Sequence, residues 1–97
     1  MALKKNYEKA LKAFELGAKT GDLDAMTAVG IMYIAGVGVN QNDAKGFKYI
    51  QDAANKSHPK AQYTLGAIYY LGAGIDVDFN KAFNWISLSA EQGYIDA

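Results

Sequence analysis

The stretches Gly36-Val37-Gly38-Val39 and Gly72-Ala73-Gly74-Ile75 each run ahead of a lysine, Lys45 and Lys81. Glycines followed by lysine are the raw material of a phosphate-binding loop, where bare amides approach the oxygens and an ammonium offsets their charge. The spacing does not support that chemistry. A phosphate loop places Gly directly before Lys and Ser or Thr directly after it, between a strand and a helix. Here Lys45 lies between Ala44 and Gly46, and Lys81 between Asn80 and Ala82. A dinucleotide site would need a third glycine and a preceding strand, and neither stretch has them.

Other chemistry-bearing residues are equally sparse. Asp76-Val77-Asp78-Phe79-Asn80 opens like a calcium loop, but Lys81 stands where its glycine belongs and Ser87 where its bidentate glutamate belongs. His58 is the single histidine and precedes Pro59 in a turn, with no partner cluster in the sequence. No serine sits in a nucleophile elbow. The absence of cysteine removes disulfides, thiolate metal sites and cysteine nucleophiles together. Asn55-Lys56-Ser57 fits a glycosylation acceptor, a tripeptide that arises readily by chance. The sequence therefore assigns no catalytic, cofactor-binding or metal-binding residue, and the expectation is a non-enzymatic protein without a cofactor.

Composition narrows the partners. The 97 residues are 51% hydrophobic and 21% charged, the balance of a folded domain, and ten basic side chains cancel ten acidic ones. A chain without net positive charge offers no electrostatic footing for nucleic acid or an acidic membrane. No apolar run approaches the length of a membrane span. The opening residues, Met-Ala-Leu-Lys-Lys, run into an amphipathic pattern without the apolar run of a signal peptide.

The elements that must position any site emerge from a repeat. A shift of 36 residues superimposes nine identities over residues 22–57 and 58–93, among them Ala25/Ala61, Gly30/Gly66, Tyr33/Tyr69, Lys45/Lys81 and Phe47/Phe83. Within each period two apolar patterns follow helical spacing. The first is Ala25, Val29, Gly30, Met32, Tyr33, echoed by Ala61, Leu65, Gly66, Ile68, Tyr69. The second is Phe47, Ile50, Ala54, echoed by Phe83, Ile86, Ala90 and, upstream, by Leu11, Phe14, Ala18. Asp22, His58, Asn6, Asn42 and Asp78 occupy N-cap positions, and Gly21 and Gly93 follow helix ends. Helices are expected near 5–20, 23–35, 43–56, 59–71 and 79–92. One pair cannot bury its own apolar face, so neighbouring pairs must stack into an all-α, antiparallel α/α superhelix or solenoid. The glycine-rich stretches become turns, with Val39 and Ile75 as their apolar plugs, and Gly30 and Gly66 allow paired helices to approach.

Ala61, Leu65, Gly66, Tyr69, Gly72, Gly74, Ile75, Asp78, Lys81, Ala82, Trp85, Ala90 and Gly93 together resemble the Sel-1-like repeat, a relative of the tetratricopeptide repeat. Residues 25–57 follow the same pattern with lapses, Asn42 for the acid, Gly46 for the alanine, Tyr49 for the tryptophan and Ser57 for the closing glycine. The resemblance implies one domain over 1–97: the second helix of a partial repeat (1–21), repeats at 22–57 and 58–93, and the start of another at 94–97. That reading suggests a fragment of a longer repeat protein, or ends that pack on another copy. The family is mostly one of non-catalytic scaffolds, in bacterial signalling, envelope and host-interaction proteins and in eukaryotic endoplasmic-reticulum quality control. The compartment stays open, with the bacterial cytoplasm or envelope favoured by the resemblance.

Rotation by about 100° per residue puts Thr27, Ile31 and Ile34 opposite the paired helix, with Tyr63, Ala67 and Tyr70 as their equivalents. In a tetratricopeptide-like stack that face lines the concave groove, so these six residues are the candidate partner site. The expected partner is a protein or peptide segment. Burial of the same side chains against adjacent repeats is the competing reading. The alternative function is homo-oligomerisation through incomplete terminal repeats, suggested by Leu11/Phe14 at one end and Ile86/Tyr94/Ile95 at the other.

Overall fold

The computed structural model describes the backbone of residues 2–94 and the side chains of residues 5–94. Ile95, Asp96 and Ala97, read above as the opening of a further repeat, lie outside them. Five helices follow in order: α1 (Ala2–Lys19), α2 (Leu23–Ala35), α3 (Asp43–Asn55), α4 (Pro59–Leu71) and α5 (Phe79–Glu91). There is no strand among the described residues. The pairs α2/α3 and α4/α5 make the most extensive contacts, α1/α2 and α3/α4 join them, and α2 also touches α4. Stacked this way the molecule is elongated, 40 × 26 × 24 Å.

Local chemistry explains the boundaries. The carboxylate of Asp22 accepts from the Ala25 amide at 3.1 Å, the Asn42 side chain from Lys45 at 3.1 Å, and Asp78 from Lys81 at 3.0 Å. The two glycine-rich turns are built alike. Gly36 and Gly72 take left-handed conformations, φ 71° and 73°, where a side chain would be strained. Their amides close the preceding helix on Met32 O and Ile68 O, both at 2.8 Å. The turns end when Asn42 N bonds back to Tyr33 O at 2.8 Å and Asp78 N to Tyr69 O at 2.9 Å. The amides of Gly36 and Gly72, which a phosphate would need, are already engaged in closing a helix.

Two expected caps differ. Asn6 lies inside α1, which begins at Ala2. Asn42 and Asp78 follow a turn tied back to an earlier helix, whereas nothing between Ala2 and Asn6 breaks the helix, and an interior asparagine costs only a few tenths of a kcal/mol, about 0.7 at most. His58 precedes α4 with extended backbone and Pro59 at the first helical position, but its side chain makes no cap bond. Its Nε2 instead sits 2.9 Å from Asp24 Oδ1 of the preceding pair, buried and without good hydrogen-bond alignment.

The core runs along the seams between pairs. Met26, Ile50, Ala53, Ala54, Ala61, Leu65 and Ile68 form one cluster across α2, α3 and α4, while Leu11, Val29 and Tyr33 form a second across α1 and α2. Val29, Ile50 and Leu65 are wholly buried, each worth about 1.5–3 kcal/mol of transfer free energy. Val39 and Ile75 pack on these clusters from the turns, as their pattern predicts. The second-helix stripe changes character along the stack. Ile50 and Ala54 are buried in the middle, yet Phe14 is 41% and Phe83 71% exposed at the ends.

Candidate functional site

Residues three and four apart on a helix diverge by about 60° and 40°, so a stripe of six can be divided between neighbours. That division happens here. Thr27 is wholly buried beneath the α2/α4 seam, its hydroxyl donating to Leu23 O at 2.8 Å. Ile34 is half-buried on the core cluster, while Ile31, rotated outward, remains exposed. Ile31, Ile34 and Ala67 meet in one groove between α2 and α4, completed by Ala35, Thr64, Ile68, Leu71 and Ala73. Its volume is about 200 Å³ and no charged residue lines it. Asp24 and Lys60 start their helices, so each lies seven residues, about 10 Å of helix rise, from the centre of the groove at Ile31 and Ala67.

Tyr63 and Tyr70 are on the opposite flank of α4. Tyr63 tilts against Tyr94, ring centroids 5.8 Å apart, and Tyr70 against Phe79 at 5.4 Å. Tyr70, Phe79, Phe83 and Ile86 border a second apolar depression, about 400 Å³, on the outer side of the α4/α5 pair. The six candidates therefore lie on two surfaces with Thr27 beneath one of them. Their register is the same in both repeats, but α2 has the first helix of the next pair, α4, beside it, and among the described residues α4 has no such helix.

Sequence reasoning missed Thr64 and Leu71 as groove residues. Leu71 is 72% exposed at the last turn of α4, directly before Gly72, and an apolar residue at that place was the available signal. It also missed a polar clasp at the second seam. Gln92 Nε2 donates to Ser57 O at 2.9 Å and to Gln62 Oε1 at 2.8 Å, and the Ser89 hydroxyl donates to Pro59 O at 2.8 Å. At the first seam Met26 and Ala53 take the places of Gln62 and Ser89, and Lys56 that of Gln92, so the clasp is not repeated there.

A further depression, about 520 Å³, is lined by Asn42, Ala44, Lys45, Lys48, Tyr49 and Asp52. Its charges are internally engaged. Lys48 pairs with Asp52 at 3.4 Å, and the Lys45 ammonium lies 4.8 Å over the Tyr33 ring. Hydrogen bonding to Tyr33, then the negative charge Tyr33 acquires when ionised, hold Lys45 above the ordinary lysine range. Tyr33 stacks on Tyr49 and its hydroxyl donates to Glu15 at 3.3 Å, so Glu15 faces the core seam as well as solvent. Among the described residues no group of three His, Cys, Asp or Glu side chains could hold a metal ion, and no helix is long and apolar enough to cross a membrane.

Comparison with known proteins follows the helix pairs. The family model described as Sel1 repeat matches residues 1–22, 23–58 and 59–94. The Sel1 repeat protein of Oxalobacter formigenes superimposes with a TM-score of 0.82 at 28% identity, over 89% of this chain and 35% of that one. A protective antigen of uropathogenic Escherichia coli with an SLR fold superimposes with a TM-score of 0.78 at 37% identity, over 84% of this chain and 17% of that one. The chain thus spans about a third and a sixth of the length of these two neighbours. No curated protein matches at a significant level.

Proposed function

The chain belongs to the Sel1 repeat family, whose members generally mediate protein–protein interaction as non-catalytic scaffolds, and on that premise we propose that it holds a peptide or protein segment in the groove between α2 and α4. One observation carries the proposal. The groove is uncharged along its lining, yet Ile31 at its edge is 38% exposed and Leu71 is 72% exposed. Apolar side chains presented to water beside a dry crevice favour a partner that covers them. The volume of about 200 Å³ falls below the roughly 300–1,000 Å³ of small-molecule pockets and suits an apolar side chain of a polypeptide. Ile31, Ile34, Ala67 and Leu71 are the contact residues in this reading, and Thr27 supports them from beneath.

Selection of displayed peptides on the chain, followed by titration against Ile31→Glu and Leu71→Glu, is the test. Both variants are expected to weaken the selected peptides at least tenfold while remaining helical. Peptides that bind both variants as well as the parent chain would remove the groove assignment.

Self-association through the ends of the stack is the second reading, favoured by Phe79 and Phe83, 63% and 71% exposed. A single monomeric species across concentrations in sedimentation rejects it.

A further inference from the structure

As first helices of successive antiparallel pairs, α2 and α4 run in the same direction on either side of their groove. Ala35 and Leu71, the last residues of the two helices, both line it, with Ala73 of the turn that follows. One end of the groove is therefore two helix C-termini side by side, each the negative end of its helix. Neither helix carries a basic residue in its last turn. Turn amides satisfy the carbonyls of Met32, Tyr33, Ile68 and Tyr69. No amide of the described residues donates to those of Ile34, Ala35, Tyr70 or Leu71.

A carboxylate stands at the same end. Gly74, next to Ala73 of the groove lining, packs so closely on Asp43 that a Cβ there would stand 2.9 Å from Asp43 Oδ2. Asp43 is half-buried, its Oδ1 accepts from Gln41 Nε2 at 3.2 Å, and among the described residues no lysine pairs with it. Lys45 and Lys81, which follow the two turns, lie over the Tyr33 and Tyr69 rings at 4.8 and 5.4 Å and do not line the groove. The other end differs, since Asp24 and Lys60 in the first turns of α2 and α4 offset each other.

We infer that this end of the groove selects a cationic occupant: a polypeptide with an apolar side chain in the groove and a Lys or Arg at the ends of α2 and α4. The inference rests on the groove reading above and adds the charge of its ligand. From Ile31 and Ala67 at the centre to Ala35 and Leu71 is four residues, about 6 Å of helix rise. An extended chain laid along the groove covers that in about two residues, at roughly 3.3 Å each, and residues two apart point to the same side. The basic residue therefore stands two positions from the apolar one, where its donors meet the open carbonyls and the Asp43 carboxylate. An acidic residue at that position would face the same groups and be rejected.

The test selects displayed random ten-residue peptides on the 97-residue chain and discards those that also bind Ile31→Glu. Among the survivors, Lys or Arg two positions from an apolar residue should clearly outnumber Asp or Glu at that place. A survivor is then synthesised with its basic residue kept or replaced by Gln, and both are titrated by fluorescence anisotropy. Replacement should weaken binding about fivefold, the scale of a partly exposed charge pair beside two helix ends, and the difference should shrink as salt rises. Asp43→Asn and Ala35→Lys should each weaken the basic peptide and leave the Gln peptide unchanged. Ala35→Lys also adds a favourable charge to the end of α2, so its melting temperature should not fall, and its lost binding does not come from a damaged fold. Equal numbers of basic and acidic residues among the survivors, or equal losses for both peptides, overturn the inference and leave the groove in place. Absence of any peptide that depends on Ile31 removes the groove reading, and this inference with it.

Discussion

Gly30→Ala and Gly66→Ala are the same substitution at equivalent positions, and the structure predicts different outcomes. A Cβ at Gly30 would stand 2.5 Å from Ile50 Cγ1 and 2.8 Å from the Gly46 carbonyl oxygen. Ile50 is wholly buried and cannot turn aside, and the carbonyl is backbone, so α2 and α3 must separate. Overpacking of this kind costs about 3 kcal/mol, the upper part of the usual range. Alanine's better helix propensity returns about 1 kcal/mol, leaving a net loss of about 2. At Gly66 the new Cβ would meet Ile86 Cγ1 at 2.5 Å and the Ala82 carbonyl oxygen at 3.0 Å. Ile86 borders the open depression and can rotate into it, so an overpacking cost near 1 kcal/mol is offset by about the same gain in propensity. For a domain of this size 1 kcal/mol moves the melting temperature by about 4–8 °C. Gly30→Ala should therefore melt about 8–16 °C lower, and Gly66→Ala within about 4 °C of the parent. Thermal and urea unfolding, followed by circular dichroism and Trp85 fluorescence together, measure both. Equal losses would refute the reasoning, because they would mean that Ile86 is as confined as Ile50 and that the outer face of α5 is not free.

Further outcomes follow from single residues. Ser57 adopts φ 65° where Gly21 and Gly93 stand in the neighbouring pairs, so Ser57→Gly should stabilise the chain by about 1 kcal/mol in urea titration. Asp78→Ala should cost about 1 kcal/mol through its lost cap, measured in the same way, whereas His58→Ala loses no cap bond and should respond instead to the loss of its contact with Asp24, which Asp24→Ala would reproduce. Thr27→Glu buries a charge with no partner and should unfold the chain, while Ile31→Glu should keep the melting temperature within a few degrees, as circular dichroism will show.

The architecture could be read from residue spacing because a repeat states each of its local rules twice. The 36-residue shift, the capping side chains at Asp22, Asn42 and Asp78, and the paired glycines of the turns are short-range facts. They are satisfied within a few residues of chain, so their pattern survives without knowledge of neighbours. The same reasoning answers the phosphate-loop question, since the Gly36 and Gly72 amides bond to the helix just behind them. Asn6 shows the limit of the repeat as a guide: its cap register is right, but a cap also requires a turn before it.

What only the tertiary structure decided is which copy of each residue is covered. Ile50 and Ile86, or Ile34 and Tyr70, share a register, and periodicity treats them alike. Exposure depends on whether a helix lies beside them, a contact between residues far apart in the chain. Thr27 and Ile34 therefore sink into the α2/α4 seam while Tyr63 and Tyr70 stay on an outer flank, and Leu71, invisible to the stripe, lines the groove. Sequence by itself determined the helices, the caps at Asp22, Asn42 and Asp78, and the order of stacking. The packing of one pair on the next divided a single candidate stripe into a seam, a groove and an open face.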